Sequence, residues 1–485
     1  MKTLIEGRFV VAFDGSEHRL IGNGVVVVEG SKIVHVGKSY TGTVDKRIDA
    51  TNKVVIPGLI NIHCHASSPL TKSLRGDVSN RQLYNSDLFD RFILMPTTSK
   101  EDLLSAEFTY AELLRGGCTT IVDCGLGGWP NDQAVKLAEK IGIRAYLLKE
   151  YNSGYWKTND GKRVFFDNFD GEKWNDEPGL KELEKVVDYI REINGKYGDR
   201  IRSMLHPGTQ LTCSPSLLRE TRRLANELKT GIQIHVAESV LEFHETLRRY
   251  AKTPIEVLAD TGLLGPDLIV AHALFIAGHS KVGYPDPWEK DIQLIANSHT
   301  SVAHCPVTFS RSGVGLESYS KYLRAGINVG IGTDTFPQDM FREMNAASTI
   351  SKIKEQEVAV ATCRDVFDSA TISGAKALGR NDIGRIQVGA KADIAIINLH
   401  TFNMSPLRDP IRNLVMCATR NDVDMVMVDG RIVVEDGVVT SVNENNLATR
   451  MQSAAEKLWE RWQEVDPRHR SIDDMTPLSL KYWID

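Results

Sequence analysis

The 485-residue sequence predicts an α/β fold, in which a (β/α)₈ barrel of the TIM type is joined to a small β-sandwich. Three observations predict it. Short β-rich runs alternate with helical patterns through the middle of the chain, as in successive βα units. Both ends contain short strands separated by turn residues. The chain is also too long for one ordinary core, unless a large barrel takes up most of it.

The barrel strands are the eight β-rich runs, which span about 280 residues where a typical barrel has about 250. Helical patterns lie between most of them, for example PSLLRETRRLANELKTG. We therefore assign residues 57–384 to the barrel. The runs lie at 54–65, 119–125, 144–150, 203–211, 231–238, 268–275, 301–308 and 328–334.

The two chain ends are predicted to form one β-sandwich between them. Residues 25–37 form a hairpin pattern, and residues 423–439 repeat it with two Asp-Gly pairs. Neither end has enough strands for a stable sheet alone, so we expect 1–56 and 385–442 to combine. An amphipathic pattern then predicts a helical extension over 443–485.

Residues 151–178 are a long insertion rich in Gly, Asn and Asp that also holds several aromatic residues, Trp156 among them. Loops of this length are usually functional or disordered. The aromatic content favours an ordered lid over the barrel mouth. The alternative is that the aromatic rings pack against neighbouring helices.

Composition excludes several classes of protein. The formal net charge is −5 and Lys and Arg form no long run, which argues against a nucleic-acid or anionic membrane partner. No apolar run reaches the roughly 20 residues that span a bilayer. Seven cysteines are dispersed without a CxxC pair, which indicates a reducing compartment. We expect a cytoplasmic protein that acts on a small molecule.

Polar residues end five of the predicted strands, and active sites of such barrels lie at the carboxyl ends of the strands. A lone histidine at a buried strand end is more often structural than a ligand. Four strands that end in histidine and a fifth that ends in aspartate favour a metal site instead. The residues are His63 and His65 on the first strand, His235 on the fifth, His272 on the sixth, His304 on the seventh and Asp334 on the eighth.

The order of these motifs resembles the amidohydrolase superfamily, in its cytosine deaminase and atrazine chlorohydrolase-like branch. PGLINIHCHASSPLTKSLRGD resembles the first-strand motif, and HVAES, VAHAL, VAHCPV and GIGTD resemble strands five to eight. The resemblance covers nearly the whole chain. It implies a metal-dependent hydrolase that forms a homodimer or a larger homo-oligomer.

The resemblance also implies the ligands of one divalent metal, Zn²⁺ or else Fe²⁺. These are His63, His65, His235 and Asp334. Asp334 would also take a proton from the attacking water, and Glu238 would carry protons to the ring nitrogen and the leaving group. The alternative for Glu238 is a surface salt bridge. His272 would orient the hydroxide or stabilise the developing charge.

Departures from the family pattern fall at substrate-facing places. Phe309 stands where an Asn is usual, which predicts a more apolar pocket, and Gly208 stands where nucleoside-type members carry a His. His304, Phe309, Gln210 and Trp156 are the predicted substrate-binding residues.

The leading functional hypothesis is hydrolysis at a carbon of an N-heterocycle, with release of ammonia, an amine or a halide. A second is hydrolysis of an open amide, carbamate or urea by the same site. A binuclear site is disfavoured because the fourth strand has no Lys, and Lys149 lies on the third. An inactive barrel that serves as a scaffold is the hypothesis of a different class.

Overall fold

The structure is a computed structural model that describes residues 1–74, 97–124, 131–158, 164–167, 169–170, 173–287, 289–466 and 468–483. Its strands are β1 (Lys2–Phe13), β2 (His18–Glu29), β3 (Lys32–Gly37), β4 (Lys46–Pro57), β5 (Leu59–Cys64), β6 (Cys118–Asp123), β7 (Arg144–Leu147), β8 (Lys149–Tyr151), β9 (Tyr155–Thr158), β10 (Val164–Asp167), β11 (Phe169–Asp170), β12 (Lys173–Trp174), β13 (Ile201–Arg202), β14 (Leu205–Pro207), β15 (Ile232–Val236), β16 (Leu268–His272), β17 (Ser301–His304), β18 (Val329–Ile331), β19 (Ile394–Asn398), β20 (Val423–Val428), β21 (Arg431–Glu435) and β22 (Val438–Val439).

The α-helices of the described residues surround and extend these strands. They are α1 (Ser99–Arg115), α2 (Asn131–Ile141), α3 (Glu177–Ile193), α4 (Lys196–Asp199), α5 (Pro215–Leu228), α6 (Val240–Tyr250), α7 (Pro254–Asp260), α8 (Lys290–Asn297), α9 (Pro306–Ser310), α10 (Tyr319–Arg324), α11 (Met340–Glu355), α12 (Cys363–Ser369), α13 (Ile372–Ala377), α14 (Pro410–Met416), α15 (Glu444–Val465) and α16 (Ile472–Met475). Among the residues that the structure covers, no helix combines the length and the apolar character that crossing a membrane requires.

Ten short strands form the predicted barrel, because two of its eight strand positions are interrupted. Position three consists of β7 and β8, and position four of β13 and β14; the other six positions are β5, β6, β15, β16, β17 and β18. Neighbouring positions pair in parallel all the way round. A parallel bridge between Cys64 and Asp334 joins position one to position eight. The α/β barrel fold that the sequence predicts is therefore confirmed.

The barrel strands are buried on both faces, which explains why they are nearly continuous apolar runs in the sequence. Alternate residues point into the barrel, where Ile60, Ile62, Tyr146, Leu148 and Met204 belong to one apolar cluster. The other residues of each strand pack against the surrounding helices. The mouth of the barrel lies above this cluster. His63 reaches it directly after the inward-facing Ile62, because the pairing of β5 with β6 shifts by one residue between Asn61 and Cys64.

Both ends of the chain contribute to a second sheet, with the strand order β22-β21-β20-β19-β4-β1-β2-β3. β1 and β4 are parallel, and the other neighbours are antiparallel. The strands are hydrogen-bonded into one continuous sheet that surrounds a core cluster containing Ile5, Val26 and Ile394. A buried ion pair connects this sheet to the barrel: Arg144 donates to both carboxylate oxygens of Asp393, at 2.8 and 3.1 Å.

The predicted C-terminal helix is present as α15, which packs its apolar face against α1 and the residues after position one. In the insertion at 151–178, β9 pairs with β10 and β11 pairs with β12. At its end, Trp174 Nε1 donates to the Tyr250 hydroxyl at 3.2 Å, and the Arg249 guanidinium lies over the Trp174 ring. This end of the insertion therefore packs against α6, which follows position five. Whether the insertion covers the barrel mouth stays a prediction.

Candidate active site

Five of the sequence-predicted residues meet at the carboxyl end of the barrel. His65 Nε2 lies 3.1 Å from His235 Nε2 and 3.5 Å from Asp334 Oδ1, and His63 Nε2 lies 3.7 Å from the same oxygen. The His272 ring centroid is 4.8 Å from that of His63. Two triplets, His63–His65–His235 and His63–His272–Asp334, each have their ligand atoms within 4.8 Å of one another.

His63 is fully buried, and its outer ring nitrogen is held by neighbouring side chains. Its Nδ1 is 3.0 Å from Gln233 Oε1 and 2.9 Å from Cys124 Sγ. Gln233 Nε2 donates to the carbonyl of Ile62 at 2.7 Å, which turns the amide oxygen toward His63. His63 Nδ1 therefore carries the proton, and the lone pair of Nε2 points into the cluster.

His235 is oriented in the same way. Its Nδ1 donates to the carbonyl of Gly208 at 2.8 Å, so its Nε2 presents a lone pair toward His65. Second hydrogen bonds of this kind fix the ring and the tautomer of histidines that bind metals. Burial, and then the charge of neighbouring histidines, holds the pKa of His63 and His272 well below the ordinary range. Both imidazoles are therefore neutral near pH 7, which is the state that metal ligation requires of His63.

Asp334 is fixed by its backbone. Its N–H donates to the carbonyl of His63 at 2.9 Å, and its own carbonyl accepts from the N–H of His65 at 2.6 Å. Its φ is 56°, in the left-handed region that costs a residue with a side chain roughly 1 kcal/mol or more. The bonds to both histidines hold this conformation and aim the carboxylate at the cluster.

The donor separations match the geometry of a four-coordinate metal. Ligand bonds of about 2.0–2.2 Å to Zn²⁺ give a tetrahedron whose edges are roughly 3.3–3.6 Å. The three separations that link His63, His65, His235 and Asp334, from 3.1 to 3.7 Å, cluster around that length. Three imidazoles and one carboxylate are also a donor set that zinc accepts. The residues present therefore fit one divalent metal.

His272 and Phe309 form one wall of the site. Neither ring nitrogen of the buried His272 has a hydrogen-bond partner among the described residues. The half-buried Phe309, on α9, makes an edge-to-face contact with His272, with an interplanar angle of 72° and a centroid separation of 4.7 Å. His304 is buried nearby, 5.6 Å from the Tyr319 ring, and burial lowers its pKa to about 4. This wall is therefore apolar, with two neutral imidazoles.

Two other predicted substrate residues have different surroundings. Gln210 is buried in a 3₁₀ turn after position four, and its amide oxygen accepts from Thr246 on α6 at 2.9 Å. Trp156 lies in β9, and its side chain is outside the described part of the chain. Lys149 is directed away from the cluster, with its Nζ 5.1 Å from the centre of the Tyr189 ring on α3.

Glu238 follows position five in a turn that sequence reasoning did not explain. Ala237 has a φ of 54°, and the N–H groups of Ala237 and Glu238 donate to the two oxygens of Glu242, at 3.0 and 2.8 Å. Glu242 is buried, which raises its pKa to about 8, and the charge of Glu238 adds to the increase. The Ser-x-x-Glu spacing from Ser239 was the available signal, because it marks a helix start.

A profile of the Amidohydrolase family matches residues 54–433. Among curated relatives, a 5-methylthioadenosine/S-adenosylhomocysteine deaminase of Thermococcus kodakarensis is 32% identical over 412 residues, covering 84% of this chain and 89% of the relative. A 5'-deoxyadenosine deaminase of Methanosarcina barkeri is 30% identical over 466 residues, covering 94% and 98%.

Solved structures share the fold at lower identity. An adenosine deaminase from Xanthomonas campestris with bound zinc superposes with a TM-score of 0.78 at 21% identity, covering 94% of this chain and 98% of that one. An atrazine chlorohydrolase from Arthrobacter aurescens TC1, complexed with zinc, has a TM-score of 0.77 at 22% identity, covering 93% and 100%.

Proposed function

Because the chain belongs to the amidohydrolase family, and is thus a hydrolase of C–N bonds in small molecules, we propose that it deaminates an amino-substituted N-heterocycle of a nucleoside-like substrate. One observation carries the proposal. Three histidines and Asp334 converge with the separations of a tetrahedral metal site, and Glu238 follows His235 by three residues.

We propose one Zn²⁺ per chain, held by His63, His65, His235 and Asp334. A divalent metal bound there supplies the Lewis acidity that makes hydroxide available near neutral pH. The donor set supports zinc over metals that prefer all-oxygen sites.

The residues around the metal site then divide the proton transfers. Asp334 accepts a proton from the attacking water as its oxygen bonds to the carbon that bears the amino group. Glu238 donates a proton to the adjacent ring nitrogen, so the ring carbon becomes tetrahedral without a charge on the nitrogen. Glu238 then takes the proton of the new hydroxyl and passes it to the amino group, so the C–N bond breaks and ammonia leaves as the carbonyl forms. Asp334 returns its proton to Glu238, which restores both carboxyl groups to their starting states. His272 stabilises the charge that develops on the oxygen.

The proposal also covers the substrate-binding wall of the site, the cellular compartment of the protein and its oligomeric state. Phe309 would contact the heterocycle, because its ring lies against His272, and His304 would do so because it lines the same small cavity as Phe309. The free cysteines, five of them buried, support a reducing cytoplasmic compartment. A homo-oligomeric assembly is the remaining part of the proposal, and light scattering of the purified protein tests it.

The decisive experiment is a panel of aminated heterocycles and nucleosides, assayed for ammonia release and compared with amides, carbamates and ureas. We expect ammonia only from the heterocycles. Glu238→Gln should retain about one metal per chain and lose turnover, because the amide cannot transfer the proton. Two metals per chain, or hydrolysis confined to amides and ureas, would contradict the proposal.

A further inference from the structure

A carboxylate with no part in the mechanism above stands at the top of position three. Glu150 pairs in parallel with His206, whose ring centroid lies 5.4 Å from that of His235, so both side chains face the inside of the barrel at its mouth. Its side chain is exposed in the barrel mouth. Lys149, between Leu148 and Glu150, is directed toward α3 instead.

The carboxylate fills a space that the sequence leaves open on the neighbouring strand. A Cβ placed on Gly208 would collide with Glu150 Oε1 and would lie 2.5 Å from Asn152 Oδ1. The Gly208 carbonyl accepts the hydrogen bond that orients His235. Glu150 is therefore separated from the proposed metal ligand His235 by the backbone of one residue that has no side chain.

Neighbouring side chains hold the carboxylate in place. Asn152 is 7% exposed, and its Nδ2 donates to Glu150 Oε1 at 2.6 Å. The Asn152 amide cannot turn over, because its oxygen accepts from the Thr212 hydroxyl at 2.5 Å. Below them His206 is fully buried, and its Nε2 has no partner among the described residues.

A carboxylate offers about four lone-pair positions and donates nothing when ionised. Among the described residues Asn152 uses one of them, which leaves lone pairs that a ligand in the barrel mouth can use. A group that fits must donate hydrogen bonds, and it gains most if it is also positively charged. A carboxylate or phosphate in the same place would be repelled by the Glu150 carboxylate itself.

We propose that Glu150, positioned by Asn152, is a specificity-determining residue that binds a hydrogen-bond donor, a hydroxyl or an ammonium group, on the substituent of the heterocycle. The proposal rests on the deaminase function above and names the substrate group that this site selects. Gly208 is part of it, since any side chain there would displace the carboxylate.

The test uses three adenines that carry an ethyl, a hydroxyethyl or an aminoethyl group on the imidazole nitrogen, with ammonia release as the readout. For the unchanged protein we expect kcat/KM to favour the two donor-bearing adenines over the ethyl compound by about tenfold or more. In Glu150→Ala the ratio of kcat/KM for each donor-bearing adenine to kcat/KM for the ethyl compound should fall toward one. In Glu150→Gln the hydroxyethyl preference should survive in part and the aminoethyl preference should be lost, because the amide accepts a hydrogen bond without the charge.

The matched control is Glu184→Gln on the exposed face of α3, which should leave both preferences unchanged. Preferences that persist in Glu150→Ala overturn the inference. If the unchanged protein releases no ammonia from any adenine, the proposed function fails. Calorimetry then measures the binding of the same three compounds to the Glu238→Gln protein and tests whether Glu150 binds the substituent. Equal affinities with and without the additional Glu150→Ala change would then refute its role.

Discussion

Removing the Glu242 carboxyl should disable the turn that carries Glu238 while leaving the metal site intact. The two oxygens of Glu242 accept from the N–H groups of Ala237 and Glu238, at 3.0 and 2.8 Å. Ala237 holds a left-handed backbone conformation with a φ of 54°. Glu242→Ala takes away both acceptors, so the turn has nothing to offset its backbone strain.

The magnitude follows from those two bonds. The N–H of Ala237 is fully buried, and an unsatisfied buried donor costs about 1–3 kcal/mol. The half-buried Glu238 N–H can partly rehydrate and costs less. We expect the free energy of unfolding to fall by about 2–4 kcal/mol. A relaxed turn displaces Glu238 by on the order of 1 Å, which can cost about a hundredfold in kcat/KM.

The assay compares Glu242→Ala with Glu242→Gln and with Ser239→Ala. The glutamine keeps one acceptor oxygen, so its activity should lie between those of alanine and glutamate. Ser239→Ala removes the N-cap bond to the Glu242 N–H, 3.0 Å long, at a cost of about 1 kcal/mol, and leaves both turn bonds in place. Metal content should be the same in all of them. Activity within threefold of the unchanged protein for Glu242→Ala would refute the reasoning, as would an equal loss in Ser239→Ala.

Three further predictions concern stability. Asp393→Ala leaves the buried Arg144 guanidinium with Asp429, 3.5 Å away, as its remaining acidic partner and should lower the free energy of urea unfolding by about 3 kcal/mol, whereas the double change Arg144→Met with Asp393→Leu should recover much of the loss. Burial lowers the pKa of His18 to about 4 from its ordinary 6.5. The contribution of the neutral ring to the free energy of unfolding is therefore fully present above pH 6.5 and is lost as the pH falls to 4. His18→Asn should therefore remove about 3 kcal/mol of the acid destabilisation, and parallel unfolding slopes for the two proteins would contradict this. Chelation should lower the thermal midpoint, and added Zn²⁺ should restore it, with a stabilisation of about 4 kcal/mol when free metal exceeds its Kd a thousandfold. A zinc-dependent increase of the same size in His63→Ala would argue against the ligand set.

The histidine cluster was predictable from sequence because it depends on two local rules. The two-residue spacing puts His63 and His65 on one side of the chain at the end of β5, and a parallel barrel brings the carboxyl ends of all its strands to one mouth. The register shift between Asn61 and Cys64, which turns this pair inward after Ile62, does not follow from the spacing. Once the βα period is recognised, His235, His272 and Asp334 must come near that pair. The structure adds what fixes each ring, such as Gln233 beside His63, which depends on contacts between distant strands.

Residues beyond the strand ends were less predictable, because strand parity stops applying where the strand stops. Gln210 lies in a 3₁₀ turn, and its side chain contacts Thr246 on α6. The alternation of a β-strand does not predict the direction of a side chain in such a turn. Glu242 is on a helix, where its charge suggests an exposed side chain. The boundaries at 56/57, 384/385 and 442/443 stay predictions.

The small sheet shows a similar limit at a larger scale. Hairpin patterns in the sequence predicted short strands, whereas β1, β2 and β4 have 12 residues each. The pairing of β1 with β4 shifts register between Gly7 and Phe9, and such a shift bends a strand. The parts of β1 before and after the shift therefore belong to two regions of the sheet. Local patterns report where strands begin and end, but the joining of all eight strands into one sheet depends on pairings between the two chain ends.

The substrate-facing residues divide the barrel mouth into two unlike sides. Phe309 and His272 border the ends of positions six and seven with an apolar wall, and Glu150 and Asn152 follow position three, across an eight-strand barrel from position seven. A flat heterocycle lying against Phe309, with its amino-bearing carbon at the metal ligands, would extend its substituent toward Glu150. In the proposed complex the two departures from the nucleoside-type pattern, Phe309 and Gly208, would thus act on different parts of one substrate. Phe309 would favour an apolar ring face, and Gly208 would admit the carboxylate that selects the substituent.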